Sequence, residues 1–541
     1  MGPLDLPYIA EYAATAVLLA ALFALCSHKP LAILQQSGYK NKKMLAWYAR
    51  KENMLFQQYC LLALMLILVS GLLGICFSFL GEDWAFRIAG LPFLFFCVVF
   101  CVVDRKYALK VPANRTPRFK RLAVIYFFVL AVILYVLVAV FNIVAYYTES
   151  ELIGVWRYVP LSLLPFLLPL LVCLANLIAS PFEGMRNKKY IARAKEKLDA
   201  RKDCIRIGIT GSFAKTSVKH ILTAILSEKY SVLATPASYN TPMGVAKCLH
   251  EYQGDDFEVF IAEMGARKAG DIAELCALVR PQYSVLTGIC GQHLETFESI
   301  ENVIAAKSEI FEGTAADGFV VVGMDENTEK AVENACGREI VRVDETACRD
   351  IRSDENGTSF TLVSGGAEVS IRTKLLGRHT AKNIALAATL ALRLGVSVEQ
   401  IAAACEKLEY VPHRLQVIRN GGVTVIDDSY NANTVGAADA VEVLKSFTGK
   451  KIIVTPGIVE MGVLEKQANE EFGKSLAGLD AIALVGDTLV GAVKNGYLAA
   501  GGEEEKVRTF FTLREAQEAL PEIIGGEGTV LFLNDLPDIY V

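Results

Sequence analysis

The sequence predicts an N-terminal, multi-span α-helical membrane domain followed by an α/β core with a mainly parallel sheet. Of the 541 residues, 53% are hydrophobic, and the apolar excess is concentrated in the first 180 residues. From Ile205 onward, short apolar runs alternate with amphipathic helical patterns, as in α/β domains. The chain is therefore too long for one domain and too apolar for a purely soluble protein.

Five apolar segments near the N-terminus are long enough to span a bilayer, which needs roughly 20 apolar residues. The first lacks the basic start and the small-residue cleavage site of a signal peptide, so we expect it to be retained. The second and third lie close together and predict a hairpin. The predicted spans are Tyr8–Ser27, Tyr59–Leu80, Phe86–Val103, Leu122–Tyr147 and Val159–Ala179.

Charged residues between the spans predict their orientation. The loops at 28–53 and 104–121 carry six and seven Lys or Arg residues, whereas the alternate loops are short and acidic. By the positive-inside rule the basic loops are cytoplasmic, which places the N-terminus outside and everything after Ala179 inside. The basic loops serve as topology signals, or they also bind anionic lipid headgroups or a phosphorylated lipid substrate.

The remaining composition excludes some classes of site. Thirteen cysteines show no paired metal-binding spacing, and seven of them lie in the part placed in a reducing cytoplasm. We therefore expect free thiols, no disulfide framework and no zinc site. We also expect no nucleic-acid partner.

A phosphate-binding loop is predicted at residues 210–217. It follows the predicted strand Ile205–Ile209 and precedes the predicted helix Val218–Leu226. Backbone N–H groups of such a loop, and the helix N-terminus, face an anion. The alternative is an ordinary strand-to-helix turn with a surface lysine. The predicted nucleotide-binding residues of the loop are Gly211, Ser212, Ala214, Lys215, Thr216 and Ser217.

Two of these residues have specific chemistry, and one departs from the usual pattern. Lys215 is placed to reach the β- and γ-phosphates, and the Thr216 hydroxyl to hold Mg²⁺. Ala214 stands where a standard loop has Gly. If that position requires a positive φ, Ala costs roughly 1 kcal/mol relative to Gly.

Further candidates follow other predicted strands. Glu263 ends the strand Val259–Ala262, where a carboxylate binds Mg²⁺ or caps a helix. His293 follows the strand Tyr283–Thr287, and it is either a further metal ligand or an ordinary polar residue on the surface. Lys307 lies on a helix, as a solvated residue or as a carbamate that binds metal.

The C-terminal part repeats the alternation of strands and helices. Asp427 to Asn433 follow the strand Val423–Ile426 and form either a nucleotide contact or an ordinary turn.

Antiparallel hairpin strands are predicted at Thr358–Val363 and Glu368–Arg372, and helices between Ala381 and Leu408. The predicted domains are residues 1–180 (membrane), 181–204 (basic juxtamembrane helix and linker), 205–410 (ATP-binding) and 411–541 (C-terminal).

Taken in order, these motifs resemble the Mur ligase family, the ATP-dependent amide-forming enzymes of peptidoglycan synthesis, and within it the MurF type. The resemblance covers roughly Ile205 to the C-terminus. The matching motifs are Thr210-Gly211-Ser212-x-x-Lys215-Thr216, Asn240-Thr241-Pro242-x-Gly244, Glu263-Met264-Gly265-Ala266, His293-Leu294-Glu295, Ala306-Lys307-Ser308-Glu309-Ile310, Gly377-Arg378-His379 with Asn383, Pro412-His413-Arg414-Leu415, and Asp427 to Asn433.

The resemblance implies a parallel-sheet P-loop ATPase domain, a Rossmann-like C-terminal domain, ATP, and two Mg²⁺ ions. Lys215, Glu263, His293 and Lys307 are then catalytic. The implied metal ligands are Thr216, Glu263, His293 and a carbamylated Lys307. The implied nucleotide contacts outside the loop are Asn383, Arg414, Asp428 and Asn431, and the implied substrate contacts are Asn240, Thr241, Tyr430, Asn433 and Glu460.

Departures from the family keep the substrate open. Soluble MurF-type members begin with a domain that binds the UDP-sugar, and the apolar block stands there instead. Thr434 also replaces a proline common in the family. The expected reaction joins an amino acid or D-Ala-D-Ala to an envelope precursor, UDP-linked or lipid-linked, at the membrane. The alternatives are a poly-γ-glutamate synthase-like ligase and a degenerate nucleotide-binding membrane scaffold.

Overall fold

The computed structural model describes residues 5–49, 113–148, 158–254, 256–291, 294–364, 366–430, 433–459 and 461–534, and seven single residues between 64 and 102. The chain divides into two compact units, one of residues up to Asn187 and one within Lys188–Leu536. The predicted spans Tyr59–Leu80 and Phe86–Val103 lie almost entirely outside the described residues.

The regular secondary structure in the described part of the first unit consists of helices. Three of its helices are long and apolar enough to cross a membrane: Leu6–Cys26, Pro117–Thr148 and the segment Leu163–Asp199. They coincide with the first, fourth and fifth predicted spans. The helices are α1 (Leu6–Cys26), α2 (His28–Gln36), α3 (Asn41–Tyr48), α4 (Pro117–Thr148) and α5 (Tyr158–Asp199).

Helix α5 is longer than the sequence predicts. It passes Pro181 without a break and ends at Asp199, so most of the predicted juxtamembrane linker is helical and continuous with the preceding span. Pro removes one backbone donor and bends a helix, but neighbouring contacts can hold such a helix together. At the C-terminal end of α5, Ala194 and Leu198 are buried in the core of the second unit.

The second unit begins with a six-stranded parallel sheet whose strand order is β2-β3-β1-β4-β5-β6. Alternate side chains point to opposite faces of a strand, and helices cover both faces here. Ile207 and Val259 belong to the core on one face, and Phe260 and Val320 to that on the other. The strands are β1 (Ile205–Thr210), β2 (Val232–Ala234), β3 (Val259–Glu263), β4 (Tyr283–Leu286), β5 (Phe319–Gly323) and β6 (Glu339–Val343).

Helices and a small antiparallel sheet, ordered β7-β8-β9, complete this domain. Its strands are β7 (Cys348–Asp354), β8 (Gly357–Ser364) and β9 (Ala367–Thr373), so the predicted hairpin is confirmed and gains a third strand. The helices are α6 (Lys215–Leu226), α7 (Pro242–Glu251), α8 (Asp271–Val279), α9 (Leu294–Phe297), α10 (Ile300–Gly313), α11 (Glu326–Val332), α12 (Arg378–Arg393) and α13 (Val398–Glu406).

The C-terminal domain has a second six-stranded sheet, ordered β10-β11-β15-β12-β13-β14. Only β10 is antiparallel to its neighbour among the described pairs. The strands are β10 (Gln416–Asn420), β11 (Val423–Asp428), β12 (Lys451–Thr455), β13 (Ala481–Val485), β14 (Val507–Phe510) and β15 (Gly528–Leu533), and the helices are α14 (Thr434–Lys445), α15 (Glu465–Ser475), α16 (Val490–Ala499) and α17 (Leu513–Ile524).

Candidate active site

A cleft of about 260 Å³ lies between the carboxyl end of the first sheet and the start of the C-terminal domain. Ligands of open α/β sheets bind beyond the carboxyl ends of their strands, so this is where a ligand is expected. Predicted site residues that line the cleft are Ser212, Ala214, Lys215, Thr216, Ser217, Asn240, Glu263, Asn383, Arg414, Asp428, Tyr430 and Asn433.

The loop between β1 and α6 has the strained backbone that its sequence suggests. Ala214 has φ 60° and ψ −2°, the left-handed conformation that favours glycine. Gly211 has φ 152°, and a Cβ there would lie 2.0 Å from the Thr287 hydroxyl oxygen. The Thr287 hydroxyl in turn donates to the Phe213 carbonyl at 2.5 Å. The loop and the residues that directly follow β4 therefore fit together only with glycine at position 211.

Lys215 is the first residue of α6, and its ammonium group is held by the loop. It donates to the Gly211 carbonyl at 2.8 Å and to the Ser212 carbonyl at 3.2 Å. Burial lowers the pKa of Lys215, and the nearby Glu263 opposes that shift. An anion in the cleft would give this half-buried cation a stronger partner than neutral carbonyls provide.

Glu263 ends β3 and is the centre of a buried polar cluster. Its Oε2 accepts from the Thr216 hydroxyl at 3.0 Å and from Lys219 Nζ at 2.9 Å, and its Oε1 accepts from Asn240 Nδ2 at 3.2 Å. Burial alone would raise the pKa of Glu263, but the Lys219 and Lys215 ammonium groups and these hydrogen bonds lower it. Glu263 is thereby held ionised and in one position at the cleft.

Lys307 lies on α10 and does not line the cleft. The side chain is only 3% exposed, although the solvated alternative predicted an exposed one. Burial, and then the nearby Lys215 charge, lower the pKa of Lys307 to about 7. A lysine with this pKa presents a substantial fraction of neutral, nucleophilic amine at neutral pH.

The C-terminal domain contributes the opposite wall of the cleft. Asp428 ends β11, and its Oδ1 accepts from the Leu415 backbone N–H at 3.1 Å, which ties the domain boundary to the strand end. Burial lowers the pKa of the Arg414 guanidinium, although Asp428 and Glu263 oppose this. Tyr430 is 58% exposed, and its ring lies 4.6 Å from that of His413.

Reasoning from the sequence missed Lys219 and Asp439, and it named His379 only within the motif Gly377-Arg378-His379, without a role. Lys219 stands one helical turn after Lys215, and that spacing was a usable signal. His379, at the start of α12, lies 3.6 Å from Asp439 of α14. Burial lowers the pKa of His379 and raises that of Asp439, and each opposes the shift of the other. Both line the cleft, yet no sequence spacing links them.

The other predicted site residues are placed differently. His293, Asn431 and Glu460 lie outside the described residues. Thr241 is the N-cap of α7 and accepts from the Gly244 N–H at 3.2 Å, away from the cleft lining. Asn433 lines the cleft but also caps α14, accepting from the Gly436 N–H at 2.8 Å.

The chemistry of the cleft residues fits a hard cation shared with a phosphate ligand. In the described part of the chain, no cluster of three His, Cys, Asp or Glu side chains forms a complete metal cage. Mg²⁺ in nucleotide sites usually takes one or two carboxylates, together with phosphate oxygens and water. Glu263 and the Thr216 hydroxyl, 3.0 Å apart, supply the oxygen ligands that such a site requires from protein.

Comparison with known protein families divides the second unit in two. Residues 209–391 match the model of the Mur ligase middle domain, and residues 413–533 that of the Mur ligase glutamate ligase domain. Together these matches cover more than half of the chain. The boundary between the two matched domains lies between residues 391 and 413, next to the cleft.

Curated relatives carry the same name in several bacteria. The chain is 31% identical over 290 residues to the UDP-N-acetylmuramoyl-tripeptide–D-alanyl-D-alanine ligase of Escherichia coli, covering 52% of this chain and 64% of that protein. It is 33% identical over 294 residues to the protein of that name from Mycobacterium bovis, covering 52% and 57%. The chain thus spans less than two thirds of these relatives' length.

Solved structures give the same result. MurF from Acinetobacter baumannii matches with a TM-score of 0.59 and 27% identity, covering 64% of this chain and 77% of that one. A MurF ligase from Thermotoga maritima, solved in complex with ADP, matches with a TM-score of 0.59 and 25% identity, covering 65% and 81%.

Proposed function

Because residues 209–391 and 413–533 belong to the Mur ligase family, we propose that this protein is a MurF-like, ATP-dependent ligase of peptidoglycan precursor synthesis. It joins the amine of D-Ala-D-Ala, or of an amino acid, to a carboxylate of a muropeptide. The observation that carries the proposal is the cleft, where a phosphate-binding loop, an ionised Glu263 and the half-buried Arg414 face one another. The relatives named above act on a UDP-linked tripeptide and D-Ala-D-Ala.

The reaction has two steps. A carboxylate oxygen of the acceptor attacks the γ-phosphorus of ATP and forms an oxygen–phosphorus bond. The bond from the γ-phosphorus to the bridging oxygen of ADP breaks, and ADP leaves. The donor amine then attacks the acyl carbon of this acyl phosphate through a tetrahedral intermediate, loses its proton, and displaces inorganic phosphate. Catalysis of such a transfer rests on positioning and on offsetting negative charge.

Residues of the first domain carry most of this work. Lys215 leaves the loop carbonyls to bind the β- and γ-phosphates, beside the backbone N–H groups of the loop. Asn240 stands beside Glu263, where the acyl group reacts. Thr216 and Glu263 would hold Mg²⁺, which would supply positive charge to offset the negative charge that develops on the transferred group. Asn383 lines the cleft on the side proposed for adenine.

The C-terminal domain supplies residues that complete the site. Arg414 contacts the phosphates, and Asp428 and Asn431 the rest of the nucleotide. The two substrates are bound by Tyr430, Asn433, Thr241 and Glu460. Lys307 is proposed to add to CO₂, forming a nitrogen–carbon bond and releasing a proton. The carbamate and His293 would then be the residues that hold a second ion. The lowered pKa of Lys307, about 7, supports this modification.

We further propose that the first unit anchors the enzyme in the cell membrane with residues after Ala179 in the cytoplasm. A basic collar supports this orientation: Lys40, Lys42, Lys43, Arg115, Arg118, Lys120, Arg121 and Arg186. The start of α4 reaches α2 through Asn114 and Gln35, whose hydrogen bonds are 2.7 and 2.9 Å long. Helix α5 reaches the turn before α3 through Asn176 and the Tyr39 carbonyl, at 3.0 Å.

These contacts gather the collar at one end of α4. Arg118 lies with its guanidinium 3.7 Å from the centre of the Tyr39 ring, and Arg121 makes a bidentate ion pair with Glu183 of α5 at 2.6 and 2.7 Å. Among the residues that the structure describes, one acidic group is paired there, and the collar has eight basic ones. Anionic headgroups attract such a cluster, and a lipid-linked muropeptide with its phosphates is the acceptor that suits it.

Product analysis tests the function. The full-length protein in detergent receives Mg-ATP with either UDP-MurNAc-tripeptide and D-Ala-D-Ala, or a membrane-lipid extract and a panel of amino acids. Phosphate release and product masses are recorded. We expect one new amide per phosphate released, and loss of at least about a hundredfold in turnover for Lys215→Ala. Lys229→Ala, outside the cleft, serves as the control.

Each result separates the candidates. Turnover with the soluble pair establishes the MurF reaction, and turnover with the lipid extract alone establishes a membrane-bound acceptor. Products that gain repeated glutamates identify a poly-γ-glutamate synthase. If neither substrate set is turned over and the protein still binds nucleotide, the ligase proposal is contradicted and a nucleotide-binding scaffold remains.

A further inference from the structure

Lys219 is a buried cation beside the carboxylate that the metal needs. Its side chain is 6% exposed and that of Glu263 is 1% exposed. Lys219 Nζ lies 2.9 Å from Glu263 Oε2 and 2.5 Å from the Ala237 carbonyl oxygen. The Thr216 hydroxyl donates to the same Oε2 at 3.0 Å. The oxygen proposed to bind metal is therefore already bonded to an ammonium group.

We propose that Lys219 is a built-in counter-cation for Glu263, which holds the carboxylate in place before the metal arrives and then competes with the metal for it. Lys219 thereby sets the metal affinity of the site. The inference rests on the nucleotide and metal part of the proposed function, and not on the identity of the acceptor. Lys219 is a positioning residue, because it acts through Glu263.

The metal-free state needs such a partner. An ionised carboxylate that is removed from water without a counter-charge is strongly unfavourable. The hydroxyl of Thr216 and the amide of Asn240 donate hydrogen bonds to Glu263 but carry no charge. Lys219 supplies the positive charge closest to Glu263, and its bond to the Ala237 carbonyl fixes the ammonium group from the other side.

The metal-bound state has the opposite requirement. A divalent cation at Glu263 is placed within a few ångströms of the Lys219 charge, and like charges repel strongly in a buried site. Removal of the Lys219 charge thus destabilises the metal-free protein and relieves repulsion in the metal-bound one. Both effects increase metal affinity. A lysine with a purely structural role predicts the reverse, because a displaced Glu263 would bind metal more weakly.

Binding of Mn²⁺ tests this without any acceptor. Mn²⁺ takes the same oxygen ligands as Mg²⁺, and the free ion is counted by its electron paramagnetic resonance signal. Full-length protein in detergent is titrated with Mn²⁺ at saturating ADP. We expect Lys219→Met and Lys219→Gln to lower the Kd for Mn²⁺ roughly threefold to tenfold, and Lys219→Arg to leave it within about twofold.

Two controls locate the effect. Lys229→Met makes the same change at a lysine bonded only to the Leu394 and Gly395 carbonyls among the described contacts, and should leave the Kd unchanged. In a Glu263→Gln background, Lys219→Met should no longer tighten Mn²⁺ binding, because the carboxylate for which Lys219 competes is gone.

Thermal unfolding provides a second measurement, which keeps the proposal testable if Lys219→Met folds poorly. Without metal, both uncharged variants should unfold at a lower temperature than the wild type, and Mn²⁺ with ADP should raise their Tm by more. Unchanged or weaker Mn²⁺ binding in both folded variants, or in Lys219→Gln alone if Lys219→Met does not fold, would overturn the role of Lys219. Failure of the wild type to bind ADP would overturn the nucleotide site itself.

Discussion

At the scale of single residues, Ala214 replaces the glycine of a standard phosphate-binding loop, and this replacement has an energetic cost. Alanine stands in a position with φ 60°, which costs an L-residue roughly 1–2 kcal/mol relative to the right-handed conformation. The loop keeps its shape because Gly211, Thr287 and Lys215 are bonded or packed around it. The missing glycine therefore weakens stability and does not abolish the phosphate-binding geometry.

The cost at Ala214 can be measured. Ala214→Gly should raise the free energy of unfolding by about 1 kcal/mol and leave ADP affinity within about twofold, because the loop geometry is already in place. Ala224→Gly, within α6, is the matched control and should lower stability by about 0.5–1 kcal/mol. Thermal unfolding and ADP titration give both values. Destabilisation by Ala214→Gly would contradict this explanation.

Lys307 makes stability depend on pH. Its pKa is about 7 in the folded protein and near 10.4 in the unfolded chain. Between these values the unfolded chain binds one more proton, so the free energy of unfolding rises with pH from about 7 to 10. Lys307→Met removes this contribution. Measured without CO₂, the Tm of the wild type should therefore rise relative to that of the variant from pH 7 to pH 9, and parallel curves would show that Lys307 does not titrate there.

At the scale of elements, the sequence predicted all the interior strands and missed all but one of the edge strands. Nine of the ten predicted strands lie between two neighbours, which cover their continuous or alternating apolar residues, and β9 alone is at an edge. The ten are β1, β3, β4, β5, β8, β9, β11, β12, β13 and β15. The five missed strands, β2, β6, β7, β10 and β14, each stand at the edge of a sheet and are half exposed. Edge strands are short and polar where they face water, so their sequences resemble loops.

The same limit applies to the site. Residues of one motif, such as Lys215 and Thr216, were predicted because spacing along a chain is visible in the sequence. Asp439 was missed because it approaches His379 from another domain, and that proximity exists only after folding. The sequence also could not distinguish a solvated Lys307 from a buried one, since small and apolar neighbours on a helix fit both.

The junction of β1, its loop and β4 yields a prediction. In Gly211→Ala the new Cβ would lie 2.0 Å from the Thr287 hydroxyl and 3.0 Å from the Gly288 carbonyl oxygen. The loop must then leave β4, so ADP affinity should fall by more than about tenfold. Gly421→Ala, at φ 61° with open space around it, carries the backbone strain without the clash and should keep ADP affinity. Calorimetric titration compares the two, and equal affinities would contradict the tight fit.

At the scale of the whole molecule, two family domains form one cleft, and neither provides all its walls. The first contributes Lys215, Thr216 and Glu263, and the second Arg414 and Asp428. Closure of the two domains around a nucleotide would exclude water from the proposed acyl phosphate. The apolar helices of the first unit were predictable from composition, whereas the identity of the acceptor was not, because composition does not reveal which carboxylate the cleft takes.

The most direct measurement follows an oxygen atom through the reaction. The acceptor muropeptide, UDP-linked or lipid-linked as the product assay decides, is prepared with oxygen-18 in its reacting carboxylate. The full-length protein converts it with Mg-ATP and D-Ala-D-Ala, and the released phosphate is analysed by mass spectrometry. An acyl phosphate intermediate predicts one oxygen-18 in each phosphate released. Phosphate without the label would mean that ATP is hydrolysed by water, and it would contradict a ligase that activates the carboxylate.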